Sequence, residues 1–469
     1  MLAGTAHARP KQPSRSSQQL LIASDLHFNP FADPALVPEL ASAPARKWEA
    51  ILNRSSSTAY SPYGQDTNWW LLRSALDAMR KTDPDPALIM ITGDLLAHGF
   101  PQAYAKATHD AKPEHYRAFV SKTVAFIAAE LRLRYNKPQI LLTPGNNDDE
   151  CGDYDIEGGG PFLKDSARPA GNLARTHGQF TAGWKALGSF TVRPRSTPGV
   201  RIISVNSVFF SNKYQAQNFA DSCSPVDSKA ATRTFAWLES TLSRAAQNHE
   251  KVWLMFHIPP GIDGYSTMVS YRSLSQAADA PAASKQDLCS RAIVPMWKPY
   301  WTGLFTHLVS DYQTTIAAMF AGHDHTDDFR VIHGNKNEAQ FVLIDPPISP
   351  IYGQNPAFRV VTFAAGGQLL DQNTYYLTNL QVAQSAVPGV WAQEYSFQEK
   401  WNSPRLDAAS LNAIYDRITS NAEASTQWLT LLNVSSAHDH VPASGVRTLE
   451  CATEALDPAT YKVCYCPAP

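Results

Sequence analysis

The chain is 469 residues long, 44% hydrophobic and only 17% charged, a balance that excludes a disordered chain, a collagen-like repeat and a coiled coil. Its 40 Lys+Arg stand against 42 Asp+Glu, a formal charge of −2, so no overall field draws it to nucleic acid or an anionic membrane, and an anionic ligand must be held by local chemistry. The longest apolar runs are strand-sized, far short of the roughly 18 to 20 consecutive residues that cross a bilayer.

In chain order, residues 1–17 read as a flexible segment; they lack the apolar core of a signal peptide, although Ala6-His7-Ala8 fits the small-residue end of one whose front has been removed. From residue 18 onward, short apolar runs alternate with amphipathic or irregular stretches, the pattern of an α/β domain. Strands are expected over 20–23, 88–92, 139–143, 201–205, 252–256, 316–320, 341–344 and 358–362, with helices over 69–80 and 116–134. The stretches 149–169, with Gly158-Gly159-Gly160-Pro161, and 265–286, rich in Ser and Ala, read as long loops of the kind that wall binding sites. Past residue 376 the pattern turns helical, with Ser403-Pro404 as cap and first-turn proline for 406–418, then 422–432. The expected organisation is a catalytic domain over 18–380 and a C-terminal helical, cysteine-bearing subdomain over 381–469.

The six cysteines are Cys151, Cys223, Cys289, Cys451, Cys464 and Cys466, with no CxxC pair, which argues against a zinc ribbon or a thioredoxin-type site. Three crowd into the last nineteen residues, where a tail would otherwise fray, so disulfides in an oxidising compartment are expected, buried free thiols being the other reading. A secreted or periplasmic monomer follows as the expectation.

Chemistry gathers where strands end. The run 20–24 leads into Asp25-Leu26-His27, 88–92 into Gly93-Asp94, 140–144 into Gly145-Asn146-Asn147-Asp148, 252–256 into His257, and 316–321 into Gly322-His323-Asp324-His325. Ligands of α/β proteins bind beyond the carboxyl ends of strands, so five strands deliver these groups to one place. Asp25 and His27 are expected to share one side of an extended strand end; His323 and His325 do likewise unless a turn divides them between two ions. Two carboxylates, one amide and four imidazoles suit two borderline divalent cations such as zinc, iron or manganese, not an all-oxygen calcium site.

These blocks resemble the calcineurin-like metallophosphoesterase superfamily, whose pattern runs D-x-H, G-D, G-N-H-[DE], H, G-H-x-H. A finer resemblance, to acid sphingomyelinase-like phosphodiesterases, rests on Thr92 through His98, on His257-Ile258-Pro259-Pro260-Gly261, on 322–329 and on later segments 349–360 and 370–375, covering about 18–435. It implies a β-sandwich of two mixed sheets flanked by helices. It also implies one metal held by Asp25, His27 and His325, another by Asn146, His257 and His323, and Asp94 between them. The metals would be zinc first, with iron, manganese or magnesium as alternatives, and Asp324 and Asp327 are candidates for orienting the ligating histidines.

One position departs from the pattern: Asn147 stands where the superfamily has histidine, and an amide cannot give a leaving alkoxide its proton. His98 is therefore nominated as general acid, with Asn147 hydrogen-bonding a phosphate oxygen and Tyr352 and Asn355 lining the substrate pocket. The expected substrate is a phosphodiester of phosphocholine or nucleotide type. The G-N-N-D variant also resembles endopolyphosphatases, which would need a basic channel, for which Arg330, Lys336 and Lys213 are candidates. A non-catalytic scaffold on this fold is the third reading, though all seven ligand positions are filled. With 24 residues ahead of Asp25, the saposin-type lipid-binding domain of the sphingomyelinase proper is not expected, which favours soluble substrates over a bilayer lipid.

Overall fold

A computed structural model describes residues 17–110, 112–214, 229–276, 285–334, 339–438 and 445–466. Two six-stranded sheets pack against each other. The strands are β1 (Ser17–Ala23), β2 (Leu88–Ile91), β3 (Gln139–Leu142), β4 (Phe190–Val192), β5 (Val200–Ser204), β6 (Lys251–Met255), β7 (Ile316–Ala321), β8 (Asp328–His333), β9 (Ala339–Ile344), β10 (Ala357–Ala364), β11 (Leu369–Leu377) and β12 (Trp391–Ser396). One sheet runs β12-β11-β10-β1-β2-β3, the other β4-β5-β6-β7-β9-β8. In the first, the parallel set β1-β2-β3 forms one side and β10, β11 and β12 extend it antiparallel on the other; in the second, the parallel set β5-β6-β7-β9 is flanked by antiparallel β4 and β8, so the sandwich of two mixed sheets flanked by helices holds.

The expected strands are the buried, near-continuous apolar runs of the parallel sets, such as Leu20, Leu21, Ile22 and Leu88 to Ile91, each 0% exposed, the pattern that sheets covered on both faces demand. β4, β8 and β12 escape a sequence reading because edge strands mix polar with apolar residues. β12 carries its sheet's edge past residue 380.

Both expected long loops contain helix. Residues 149–160 are irregular, but Gly158-Gly159-Gly160 ends in a helix over Pro161–Ala174 with Pro161 at its first position, where a missing N–H costs nothing. Phe162, Leu163, Ala167, Ala170 and Leu173 give that helix a buried face. In the second stretch, helices cover Gly264–Gln276 and Lys285–Ala292. The helix placed at 406–418 runs over Ala408–Ser420 and is capped by Asp407, which accepts from the Ser410 amide, not by Ser403. C-terminal helices (Phe397–Trp401, Ala408–Ser420, Ala422–Leu432, Val446–Glu454, Pro458–Tyr465) follow, and Leu411, Ile414, Ile418, Trp428 and Leu449 from them join the main hydrophobic core. No described helix is long and apolar enough to cross a membrane.

The tail is held by two disulfides, Cys289–Cys466 and Cys451–Cys464. Cys151 is disulfide-bonded as well, and Cys223 lies outside the described residues.

Candidate metal centre

Register places the site. Ala23 pairs with Ile91 and Ile91 with Leu142, so β1, β2 and β3 end level; Met255 pairs with Phe320, levelling β6 with β7 in the facing sheet. The five strand ends therefore come three from one sheet and two from the other, across the gap of the sandwich.

The backbone then turns abruptly. Asp25, His27, Asp94, His323 and His325, five of the seven candidate ligands, adopt left-handed angles, with φ of 49°, 38°, 52°, 76° and 54°. The extended Asp-x-His and His-x-His geometry expected from sequence is thus replaced by tight turns. For non-glycine residues such angles cost on the order of 1 kcal/mol each, and they persist at functional sites where surrounding structure over-determines them. Here the β1 and β2 turns are stitched by bonds from the Asp25 amide to the Gly93 carbonyl (3.1 Å) and from the His27 amide to the Asp94 carbonyl (2.9 Å). Close approach demands glycine beside them: a Cβ on Gly145 would fall 2.0 Å from Asp94 Oδ1, and one on Gly322 2.0 Å from Ser24 Oγ.

Two groups of donors result. Asp25, His27 and His325 form one; Asp94, His257 and His323 form the other, so the turn after β7 does divide the His-x-His pair. Asn146 Oδ1 lies 3.0 Å from His257 Nε2, which adds the amide to the second group. Asp94 Oδ2 lies between the two, 3.4 Å from His27 Nε2 and 3.2 Å from His257 Nε2.

The chemistry of this donor set fits cations. His27 Nδ1–H donates to the Leu96 carbonyl (2.9 Å) and His257 Nδ1–H to the Thr92 carbonyl (2.8 Å). A carbonyl only accepts, so each ring, when neutral, turns the Nε2 lone pair inward. His27 Nε2 meets His325 Nε2 at 3.1 Å, and His325 Nε2 lies 3.4 Å from Asp25 Oδ1. Buried lone pairs that converge on one another need positive charge among them. The surrounding groups are polarised accordingly. Against the opposing effect of burial, His257 and His27 hold the Asp94 carboxyl well below its usual range, and Asp94 and Asp25 push His257 up to about 9. Burial, reinforced by His257, holds His323 well below the usual histidine range. Mixed nitrogen and oxygen donors of this kind suit a pair of borderline divalent ions.

His98 stands beside this centre, its ring stacked on His27 at 4.1 Å. Its Nδ1–H donates to Asp66 Oδ1 (3.0 Å), its amide donates to Asp66 Oδ2 (2.8 Å), and Nε2 faces the Tyr352 hydroxyl at 3.2 Å. Burial opposes protonation here, but the Asp66 carboxylate outweighs it and raises the His98 pKa. Asp66 is 6% exposed and is steadied by the Ser349 hydroxyl at 3.1 Å. A cleft of about 180 Å³ opens over the centre, lined by Asp94, His98, Asn146, His323, His325, Tyr352 and Leu449 among others.

Several expectations change. Asn147 does not line the cleft: it is 6% exposed, and its amide donates through Nδ2 to Asp94 Oδ2 (2.9 Å) and through the backbone to Oδ1 (2.8 Å). Asn355 is 6% exposed and spoken for, accepting from Tyr63 and donating to the Val434 carbonyl. Asp324 and Asp327 orient no histidine. Asp324 receives Arg330 at 2.7 Å, while Asp327 binds Arg359, Thr374 and Tyr395; backbone carbonyls fix the His27 and His257 imidazoles instead. Arg330 lines the cleft but is neutralised by Asp324 and Asp328. Lys213 lines it too, its ammonium 5.3 Å from the Tyr154 ring, and Lys336 lies outside the described residues. Asp66, Asp153 and Tyr154 went unnoticed in the sequence. Asp153 accepts from Asn146 Nδ2 (2.6 Å), and the Tyr154 hydroxyl sits 3.3 Å from His323 Nε2. The last two lie in the stretch read as a binding wall, but no spacing signal marks Asp66.

Residues 19–327 match the calcineurin-like phosphoesterase family. Among curated proteins, the chain is 27% identical to a sphingomyelinase phosphodiesterase D of Dictyostelium discoideum over 79% of its own length and 74% of that protein's. It is 24% identical to the mouse cyclic GMP-AMP phosphodiesterase SMPDL3A over 86% and 83% of the two chains. With the mouse acid sphingomyelinase-like phosphodiesterase 3b it shares 23% identity over 94% and 88%.

Proposed function

The chain belongs to the calcineurin-like phosphoesterase family, and we propose that it is a two-metal phosphodiesterase acting on small diesters of phosphocholine or nucleotide type. The observation that carries this reading is the placement of Asp94 between two buried donor groups, with the His98–Asp66 pair beside them on the same cleft. Divalent cations bound there supply Lewis acidity to the phosphoryl group and an acidified water.

The chain's own residues do the rest. Asp66 accepts from His98 Nδ1, which leaves Nε2 pointing toward Tyr352 and the cleft. From there a protonated His98 hands its Nε2 proton to the departing oxygen, the task that histidine performs in the superfamily's G-N-H-[DE] and that Asn147 cannot. Asn147 instead holds the Asp94 carboxylate through two hydrogen bonds. Tyr352, 41% exposed, offers its hydroxyl and ring face to the group leaving phosphorus.

The lining also bears on the substrate. Asp153, Asp263, Asp324 and Asp328 outnumber Lys213 and Arg330, and Tyr154, Tyr265 and Tyr352 supply aromatic faces. Carboxylates beside rings favour a cationic or neutral substituent over a polyanion, which counts against the endopolyphosphatase reading that Asn147 suggested. The names of the relatives, a sphingomyelinase and a cyclic dinucleotide phosphodiesterase, agree with a diester. The disulfides fit an oxidising compartment.

The test is hydrolysis of bis-p-nitrophenyl phosphate in zinc or manganese, then of a phosphocholine diester, a dinucleotide and long-chain polyphosphate. Activity on the diesters that Asp94→Ala removes supports the proposal. Activity no greater than that variant's, or shortening of polyphosphate alone, overturns it.

A further inference from the structure

The irregular loop that leaves the centre carries carboxylates the phosphoesterase reading does not use. Asp149, Glu150, Asp155 and Glu157 fall within nine residues, just ahead of Gly158-Gly159-Gly160. Asp149 and Glu150 bring carboxylate oxygens within 4.8 Å of each other. Cys151 shares that neighbourhood, but its sulfur is disulfide-bonded and offers no thiolate.

Hydrogen bonding does not account for this pair. Asp149 is 1% exposed; its Oδ1 accepts from the Cys151 amide, while its Oδ2 is buried with no partner. Glu150 Oε2 accepts from the Phe162 amide at 2.9 Å. From a different element, the helix Pro113–Arg134, comes Tyr116, whose hydroxyl is also buried and unpartnered, and whose pKa burial pushes up, with the Asp149 and Glu150 charges adding to it. Arg117, the cation facing Glu150, spends its guanidinium on Asp165 at 2.9 and 3.3 Å. A buried Asp149 carboxylate facing the half-buried Glu150 carboxylate, with the Asp149 Oδ2 lone pairs unmet, destabilises the fold unless a proton or a cation joins the two.

The geometry points to a structural calcium site formed by the Asp149 and Glu150 carboxylates against the Tyr116 hydroxyl, separate from the phosphoesterase centre. Calcium fits because every available donor is a hard oxygen, two of them charged, on an irregular loop that can wrap a large ion; no imidazole is offered. The site bears on the centre through the same loop. Asp153 accepts from Asn146 Nδ2 at 2.6 Å, and the Tyr154 amide donates to the Asn146 carbonyl at 2.9 Å. An ion at Asp149 therefore steadies the segment that orients Asn146.

The experiment uses the full chain in saturating zinc, so that the histidine-rich centre is occupied, with calcium chloride as the probe. Calcium at about a hundred-fold over its dissociation constant is expected to raise the melting temperature by about 3 °C. Asp149→Asn and Glu150→Gln should each lose that shift while retaining zinc. Without calcium, Asp149→Asn should melt no lower than wild type, because it removes an uncompensated buried charge. Terbium in place of calcium should luminesce through Tyr116, dim in Tyr116→Phe and be displaced by calcium. No calcium-dependent shift in the wild type would mean that a shared proton joins the carboxylates, and overturns the site. A shift kept by both carboxylate variants overturns it as well, since calcium would then be binding elsewhere. Should Asp149→Asn fail to fold, Glu150→Gln and the terbium signal decide alone.

Discussion

In the proposed mechanism His98 takes the proton-donating task of the histidine in the superfamily's pattern, and Asn147, which stands at that histidine's position, holds Asp94. Asn147 sits on Asp94 through both its backbone and its side chain, so its position is committed to holding a carboxylate. His98 is anchored to Asp66 on one nitrogen and open to the cleft on the other. His98→Ala should therefore lower turnover of alkyl phosphodiesters by about 10² to 10⁴-fold, the usual worth of a general acid. It should cost much less with p-nitrophenyl esters, whose leaving group departs without a proton; equal losses on both would show that His98 only positions substrate. Asp66→Asn should mimic His98→Ala in part, since the amide no longer favours the charged ring. Gly145→Ala makes a different point. Its methyl group would occupy the space of Asp94 Oδ1, so the protein should purify with about one metal ion fewer and lose activity on every substrate, as metal analysis and the bis-p-nitrophenyl phosphate assay would read out.

At the scale of elements, the parallel strands and the residues following them were legible because an apolar run of four to six residues ending in Gly, Asp, Asn or His has little other explanation. What the sequence did not display was the left-handed turn at Asp25, His27, Asp94, His323 and His325, since local preference disfavours it and only the stitched neighbouring turns enforce it. Asp66 was illegible for a similar reason: it acts on His98 across 32 positions of sequence. Edge strands hid in the same way, β12 among them, and that strand carries a titration of its own. Glu394 on β12 accepts from the Ser435 hydroxyl with one oxygen, while the other is buried without a partner; burial, then Asp327, pushes its pKa up to about 8. A carboxyl whose folded pKa exceeds its unfolded value favours the fold while protonated, and that contribution is lost as pH rises from about 4.3 through 8. Glu394→Gln has no such loss, so its melting temperature should climb relative to wild type between pH 5 and about pH 9. A difference that stays constant with pH would mean the Glu394 carboxyl is solvated.

Across the whole molecule, the C-terminal helices are part of the cleft's construction. Helix Val446–Glu454 sets Leu449 in the cleft wall, against Gly264, where an added Cβ would meet Leu449 Cδ2 at 2.8 Å. Tyr461 braces it by donating to the Thr448 carbonyl at 2.9 Å. Two disulfides bind this wall, and they differ in reach: Cys289–Cys466 closes a separation of 177 residues, Cys451–Cys464 one of 13. Restriction of the unfolded chain grows with the logarithm of loop length, giving about 5 kcal/mol for the long tie and about 3 kcal/mol for the short one. The paired change Cys289→Ser and Cys466→Ser should accordingly lower the melting temperature more than Cys451→Ser with Cys464→Ser. Only the long tie joins the wall to the rest of the fold, through helix Lys285–Ala292. Its loss should therefore also raise KM for bulky diesters while leaving turnover of bis-p-nitrophenyl phosphate nearly unchanged, because the ligands at the strand ends do not depend on the wall. Calorimetry and steady-state kinetics on the two double variants separate the effects. If the short tie proved the costlier to lose, local packing around Cys451 and Tyr461, and not loop closure, would be what stabilises the tail.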